Sequence, residues 1–398
     1  MTTMPPRSTS RQVCPSRSTG QDAPVYALTL VPPARLFLIC FCADYKSVLV
    51  QLLPARSLRT ALHSKLAVVL DALPAALEPY ARTRNVRSLS RSAAAAPIAI
   101  RLRATRTLTG HSNLVHGAAV SENGERVVSA SWDNTAKVWD ASTGQISYIF
   151  TEHSDNVHCV ALCPDGKRAV TGGDDNTVRV WSIDSGAVQR VFVGHTSDVF
   201  AVAVRPNGRT IASASRDKTI RLWNVHSGEH EATLRDHSNS VFCVAFSLDG
   251  KVLATGSVDA TIKVWAVKNV RDASLERTLA DGHTQGVSGV AFVPGGQRLV
   301  SCSWDETVKV WNWRTGEEER VFANHMDKVF CVAVFPDGMR AASGSADNTV
   351  RIWNLHTGVL EHTLLNHSHW VRTVKISCDG RTIVSGSDDH TIIVWEVS

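Results

Sequence analysis

The feature that most constrains this chain is a ten-residue segment that recurs seven times. One copy, residues 256–265, reads Gly-Ser-Val-Asp-Ala-Thr-Ile-Lys-Val-Trp. Every copy ends in Trp and has an Asp six residues earlier, and successive Asp residues are 42, 42, 42, 46, 42 and 42 positions apart. A period this regular predicts a repeat array. We therefore expect residues 100–398 to form one domain, preceded by an N-terminal extension of residues 1–99.

Each repeat also keeps a His 28 residues before its Trp and a Ser or Thr ten residues before it. Ser, His and Asp together suggest a catalytic triad, but seven equally spaced triads make no chemical sense. A hydrogen-bond chain from indole N–H through hydroxyl and imidazole to carboxylate would instead satisfy each group on burial. The predicted structural tetrads are His111, Ser129, Asp133, Trp139; His153, Thr171, Asp175, Trp181; His195, Ser213, Asp217, Trp223; His237, Thr255, Asp259, Trp265; His283, Ser301, Asp305, Trp311; His325, Ser343, Asp347, Trp353; and His367, Ser385, Asp389, Trp395.

Turn signals divide every repeat into short strands. An Asn-Gly, Asp-Gly or Gly-Gly pair, such as Asp249-Gly250, follows the first apolar run. Such pairs tolerate the positive φ of a tight two-residue hairpin turn. In most repeats a Ser/Thr-Gly turn after the Trp introduces a fourth strand, whereas the fourth repeat has four extra residues within 267–274. The pattern predicts an all-β fold of antiparallel meanders.

These residues give the chain a family resemblance from about residue 107 to its end. Gly-His pairs or their variants open the repeats, and Trp139-Asp140 keeps the terminal Trp-Asp dipeptide. The chain resembles the WD40 repeat family, and seven such units imply a seven-bladed β-propeller of four-stranded antiparallel blades. The seventh repeat stops three residues past its Trp. We therefore expect residues 101–108 to supply its fourth strand and close the ring.

The extension differs from the repeats in charge. Residues 1–106 carry 15 Lys and Arg against 4 Asp and Glu, a charge of +11, so the repeat region carries −6. An acidic repeat region argues against nucleic acid as a ligand. The first 35 residues are rich in Ser, Thr, Pro and Arg, which predicts disorder and is also typical of an organelle transit peptide.

Three further segments of the extension carry a signal. The apolar run 36–43 is too short to span a bilayer, so we expect no membrane span. Residues 57–73 space apolar side chains by three and four, which predicts an amphipathic helix. That helix either packs on the repeat domain or serves dimerisation or docking. Residues 84–99 have the composition of a basic linker.

The cysteines indicate a reducing compartment. Nine Cys, an odd number without paired spacing, favour reduced thiols. Cys159, Cys243 and Cys331 share one repeat position, which favours a role in strand packing over metal binding. We expect a cytoplasmic protein, with a nuclear location as the alternative.

No phosphate loop, dinucleotide fingerprint or zinc-protease motif is present. We therefore expect no enzyme activity, no catalytic residue, no metal and no cofactor, and predict a non-enzymatic scaffold or adaptor that captures a protein or peptide. Two alternatives remain open. Residues 311–314, Trp-Asn-Trp-Arg, are similar to the element that joins some family members to a ubiquitin ligase. WD40 arrays are also found as sensor parts of nucleotidase-type signalling proteins.

The resemblance implies where a partner would bind. Positions three and five after each His, and one before each Asp, ring the opening of the narrower propeller face. The predicted protein-binding residues there are Leu114, His116, Trp132, Asp174, Phe200, Arg216, Phe242, Trp304, Lys328, Phe330, Trp370, Arg372 and Asp388; the remaining ring positions are Asn156, His158, Asp198, Ser240, Val258, Gly286, Ser288 and Ala346. The three Trp favour binding. The three Phe either bind or pack against one another along the channel wall.

Overall fold

The computed structural model describes the backbone of residues 25–31, 35–41 and 48–52, and backbone and side chains of residues 100–398. Strands β1 (Val25–Val31), β2 (Arg35–Phe41) and β3 (Val48–Leu52) form an antiparallel sheet in chain order. The sequence predicts no strand there, because the Ser-, Thr- and Pro-rich composition conceals runs of strand-favouring residues. The predicted helix 57–73, the linker 84–99 and the first 24 residues lie outside the described residues.

Residues 100–398 fold into seven four-stranded antiparallel sheets, as predicted. Blade 1 contains β5 (Val115–Val120), β6 (Arg126–Ser131), β7 (Ala136–Asp140) and β8 (Ile146–Phe150); blade 2, β9 (Val157–Leu162), β10 (Arg168–Gly173), β11 (Thr177–Ser182) and β12 (Val188–Val193); blade 3, β13 (Val199–Val204), β14 (Thr210–Ser215), β15 (Thr219–Asn224) and β16 (His230–Arg235); blade 4, β17 (Val241–Phe246), β18 (Val252–Ser257), β19 (Ile262–Ala266) and β20 (Ser274–Leu279); blade 5, β21 (Val287–Phe292), β22 (Arg298–Ser303), β23 (Val308–Asn312) and β24 (Glu317–Phe322); blade 6, β25 (Val329–Val334), β26 (Arg340–Ser345), β27 (Val350–Asn354) and β28 (Leu360–Leu364); blade 7, β29 (Val371–Ile376), β30 (Thr382–Ser387), β31 (Ile392–Val397) and β4 (Leu102–Leu108). The extra residues of blade 4 contain a short 3-10 helix, Val270–Asp272.

The first strands of the seven blades surround the centre, and each packs on the first strand of the next blade. The contact between β29 and β5 completes the ring. The core lies between blades. Trp223 of blade 3, for example, packs with Val170 and Val180 of blade 2. Because each blade buries its apolar face only against its neighbours, the repeats are stable as a closed set. In the part of the chain that the structure describes, no helix has the length and apolar character to cross a bilayer.

Strand β4 completes the seventh blade. It pairs antiparallel with β31, and beyond the strand Arg101 and Ser398 exchange two backbone hydrogen bonds of 2.7 and 3.0 Å. Leu108, at the end of β4, is only 1% exposed and packs between blades 7 and 1. The first and last blades are thereby joined by a strand that comes from the start of the domain.

The first turn of each blade differs from the sequence prediction. Residues 121–125 form a five-residue loop between β5 and β6, so the predicted two-residue turn is wrong. Only Gly124 has a positive φ, of 74°, and its N–H donates to the carbonyl of Ser121 at 3.0 Å. The side-chain oxygen of Asn123 accepts from the backbone N–H of Glu125. Asn or Asp therefore serves here as a side-chain acceptor.

All seven tetrads form complete hydrogen-bond chains. In blade 3 the Trp223 indole donates to the Ser213 hydroxyl at 2.8 Å, that hydroxyl lies 2.7 Å from His195 Nε2, and His195 Nδ1 lies 2.7 Å from Asp217. The Asp also accepts the hydroxyl of Thr219 at 2.6 Å. Each blade thus links its second and third strands to the loop that carries the His.

The tetrad groups are held in one charge state. Burial opposes ionisation of Asp133, but hydrogen bonds donated by His111 and Thr135 outweigh it and keep the pKa of that carboxyl well below its usual range. Burial lowers the pKa of His111 and His325, against the opposing pull of their Asp partners. At neutral pH these imidazoles are neutral, so one ring nitrogen donates and the other accepts.

Replacing one tetrad hydroxyl tests the hydrogen-bond chain. The Ser213→Ala variant leaves the indole N–H of Trp223 and Nε2 of His195 buried without partners. We expect a loss of about 2–6 kcal/mol in the free energy of unfolding, since each of these two groups costs about 1–3 kcal/mol. Urea unfolding measures it. Ser213→Thr is the matched control, because Thr171 occupies this position in blade 2; equal stability of the Ala and Thr variants would contradict the chain.

Stability should fall as the solution becomes acidic. Because the pKa values of His111 and His325 are lowered in the folded state, their imidazoles bind protons at a higher pH in the unfolded chain than in the folded one. The free energy of unfolding therefore decreases as the pH drops below about 6.5. The lowered pKa values of the seven turn Asp add a second loss below about pH 4. Unfolding free energies that stay constant from pH 8 to pH 4 would contradict the assignment of the two His residues.

Ring closure is tested by removing the closing strand. Deletion of residues 99–109 removes the whole of β4 and its partners for β31, so the melting temperature should drop markedly. Adding a synthetic peptide of residues 99–109 should then raise it again. A melting temperature unaffected by the deletion would contradict closure through this strand.

Candidate functional site

The predicted binding positions meet at one end of each blade. In every blade the residue before the turn Asp donates its backbone N–H to the carbonyl of the residue three after the His, at 2.8–3.1 Å. Trp304 pairs in this way with Gly286, and Asp388 pairs with Trp370. We call the residues at these two positions, together with those five after each His, the channel mouth.

The residues five after each His line the central channel. They surround a cavity of about 180 Å³, together with Trp304. The predicted binding residues that line it are His116, Phe200, Phe242, Trp304, Phe330 and Arg372, and the other ring positions that line it are His158 and Ser288. Leu114, Trp132, Asp174, Arg216, Lys328, Trp370 and Asp388 are not among the lining residues. The sequence prediction therefore combines a channel wall with the rim around it.

Trp132 is held in a polar and aromatic cluster between blades 1 and 2. Its indole N–H donates to Nδ1 of His158 at 3.3 Å, and Nε2 of His158 hydrogen-bonds Asp174. His116 stacks on Trp132 with ring centroids 6.0 Å apart. Burial lowers the pKa of His116 to about 3, so this ring is neutral. Trp132 is half-buried with its N–H satisfied, and it stabilises the wall between these blades.

Phe200 and Phe242 pack against each other, as one of the two alternatives predicts. Their rings are parallel with centroids 4.5 Å apart, and Phe242 meets Trp304 edge to face at 5.1 Å. His158 contacts the other end of this row, at 5.2 Å from Phe200. The half-buried Trp304 also has the amine of Lys328 at 5.8 Å from its ring. One aromatic wall thus extends from blade 1 to blade 5.

Phe330 belongs to a different group, on blades 6 and 7. The guanidinium of Arg372 lies 4.4 Å from the ring of Phe330 and 4.8 Å from that of Trp370. Two hydrogen bonds of 2.8 Å join it to Asp388. Trp370 is 39% exposed, more than any other Trp at the channel mouth. This arrangement presents a large aromatic ring to solvent on a fixed cationic support.

Carboxylates at the mouth are already partnered. Asp174 bonds His158 and Asn156, Arg216 lies 3.0 Å from Asp198, and Arg372 binds Asp388. Lys328 forms no ion pair within residues 100–398. Free positive charge at the mouth therefore lies on blade 6, where the amine of Lys328 is 5.8 Å from the ring of Trp304 on blade 5.

Among the channel residues that were not predicted as part of the site, four have titratable side chains. Cys159, Cys243 and Cys331, read as packing residues, line the cavity, and burial raises the pKa of Cys243 and Cys331 to about 12, so these thiols stay protonated. Lys375 also lines the cavity. A sequence signal for it exists, because the position eight residues after the His is Ala in the other six repeats.

The segment similar to a ligase-joining element has a local structural role. The side-chain oxygen of Asn312 accepts from the backbone N–H groups of Arg314 and Thr315. Trp313 is buried and donates to the carbonyl of Gly296, and Arg314 lies over its ring at 4.5 Å. These contacts account for the Asn and the Trp of this element by turn capping and packing.

Comparison with known families agrees with this geometry. The family model "WD domain, G-beta repeat" matches residues 102–140, 144–182 and 358–396, and the model "TEP-1 second beta-propeller" matches residues 165–357. The matched segments coincide with the blades that carry complete tetrads. The chain belongs to the WD40 repeat family.

Relatives of this WD40 protein share short segments with it. The small ribosomal subunit protein RACK1 of Trypanosoma brucei brucei is 47% identical over 45 residues, 11% of this chain and 14% of the relative. The cross-pathway control WD-repeat protein 2 of Flammulina velutipes is 44% identical over 39 residues, 10% and 12% of the two chains. RACK1 of Dictyostelium discoideum is 43% identical over 42 residues, 11% and 13%. Each match is about one repeat long.

Proposed function

We propose that this WD40 propeller is a non-enzymatic scaffold that captures a protein or peptide at the channel mouth, with blades 6 and 7 as the main contact. WD40 propellers are in general protein-interaction scaffolds, and the one-repeat matches to RACK1 and to a second WD-repeat protein support that broad class. They are too short to carry a particular pathway over to this chain.

The exposed ring of Trp370 carries the proposal. The same repeat position holds Leu114, Asn156, Asp198, Ser240, Gly286 or Lys328 in the other blades, so the blade itself does not require an aromatic residue there. Trp and Arg supply most of the binding energy in many protein interfaces. Here Arg372 already fixes the ring, so little conformational entropy is lost when a partner covers it.

The side chains of the neighbouring blade 6 indicate the chemistry of the partner. Met326 is 81% exposed, and Lys328, on the same loop, has its amine 5.8 Å from the ring of Trp304. An apolar anchor flanked by an acidic side chain would complement this combination. The free cysteines of the described chain fit a reducing compartment, and we propose a cytoplasmic location.

The test begins with a peptide selected on the wild-type propeller from a displayed library. We expect Trp370→Ala to weaken its binding at least tenfold, measured by isothermal titration calorimetry, while the circular dichroism spectrum is unchanged. The control is Leu248→Ala, which removes a 67% exposed apolar side chain from the first turn of blade 4, at the opposite end of the propeller. Equal affinities of the two variants would contradict the proposal.

The same assay distinguishes the roles of two of the three Trp residues that the sequence predicts to bind a partner. Trp132→Ala removes a packed side chain whose N–H is satisfied, so we expect it to lower the melting temperature more than it lowers peptide affinity. Trp370→Ala should have the opposite effect. Similar losses of stability and affinity in both variants would show that the contacts of Trp132 do not distinguish it from Trp370.

A further inference from the structure

The channel contains one cation that the repeat pattern does not explain. Six repeats have Ala eight residues after the tetrad His: Ala119, Ala161, Ala203, Ala245, Ala291 and Ala333; the seventh has Lys375. This position is on the first strand of the blade, and Lys375 lines the central cavity. A long charged side chain therefore enters a channel that is otherwise lined by small, aromatic and thiol side chains, with the ion-paired Arg372 as its other cation.

Lys375 has no electrostatic partner in the propeller. Within residues 100–398 its amine makes no hydrogen bond and no ion pair, and none of the residues that line the cavity is Asp or Glu. The neighbouring cation Arg372 is neutralised by its two bonds to Asp388. Lys375 is exposed within the channel, so its amine is accessible from there, and no carboxylate that lines the cavity would compete with an incoming anion.

The same cavity contains an unsatisfied hydrogen-bond donor. Trp304 lines it, and the indole Nε1 of Trp304 is buried without a partner among the described residues. Trp132, which occupies the same repeat position in blade 1, donates its N–H to His158. Buried donors of this kind are rare in native structures, and each calls for an acceptor. Both residues line one cavity, and a ligand that is at once an anion and a hydrogen-bond acceptor would complement both.

We infer that the central channel is a binding site for a carboxylate, with Lys375 as its counter-ion and the Trp304 indole as a hydrogen-bond donor. The cavity of about 180 Å³ holds a small carboxylate or the side chain of an acidic residue, because a single water needs only about 10–15 Å³. The protonated thiols of Cys159, Cys243 and Cys331 add no negative charge that would compete.

The environment of the amine supports this assignment. The amine belongs to an exposed residue of strand β29, so a ligand in the channel can reach it, and a bound carboxylate would favour its charged form. The carboxylate has two sources: a free small acid, or an acidic side chain of a peptide held at the channel mouth. The second source rests on the proposed function, whereas the site itself does not.

The experiment observes the indole N–H resonance of Trp304 in the ¹⁵N-labelled full chain, assigned by its loss in Trp304→Phe. Acetate, succinate and the blocked amino acid N-acetylglutamate N-methylamide are titrated at constant ionic strength, with chloride and N-acetylglutamine N-methylamide as references. We expect a saturable shift with the carboxylates only. A shift with acetate or succinate alone identifies a site for free acids, and a shift with the glutamate derivative identifies a site for a peptide side chain.

The matched variants are Lys375→Ala, which installs the residue present in the other six blades, and Lys251→Ala, which removes an exposed lysine from a turn between β17 and β18. The first should weaken carboxylate binding at least tenfold, and the second should leave it unchanged. No saturable shift, an equal shift with chloride, or full binding by Lys375→Ala would each overturn the inference. Because these titrations contain no captured peptide, their failure is a separate result from failure of capture at the mouth.

Discussion

The hydrogen-bond chain from Trp through Ser or Thr and His to Asp is the interaction on which this propeller depends. It satisfies a buried indole, hydroxyl and imidazole at once, and it fixes the loop before the first strand to the turn after the second. The same Trp packs against the preceding blade, so one chain orders both a sheet and an interface. All seven tetrads form this hydrogen-bond chain, so their side chains are engaged in structural contacts and are not available for catalysis.

The proposed binding positions share a backbone geometry and differ in side chain. Trp132 and Trp304 make the same backbone hydrogen bond in their blades. The indole of Trp132 is satisfied by His158, whereas that of Trp304 has no partner among the described residues. Trp370 comes from a third position and is supported by Arg372. The neighbouring blade supplies the partner of Trp132, whereas a residue of its own blade supports Trp370.

Much of the fold can be predicted from the sequence because the repeat shows it seven times. The spacing of His, Asp and Trp identifies the blades, and the Gly at each first turn marks its position, although loop length depends on side-chain acceptors such as Asn123. Whether the indole N–H of a Trp at the channel mouth has a hydrogen-bond partner cannot be predicted in this way, since it depends on contacts with another blade. Lys375 was visible as the one exception to six Ala residues, but its lack of a partner is a three-dimensional property.

The central claim is that partners bind at the channel mouth of blades 6 and 7. Hydrogen–deuterium exchange of the propeller, with and without a selected peptide, tests it most directly. The account predicts slower exchange in residues 326–331 and 368–373, where the exposed Met326, Trp370 and their supporting residues lie. Protection confined to the first turns at the opposite end, such as residues 121–125 and 163–167, or to the outer strands β8 and β12, would contradict it.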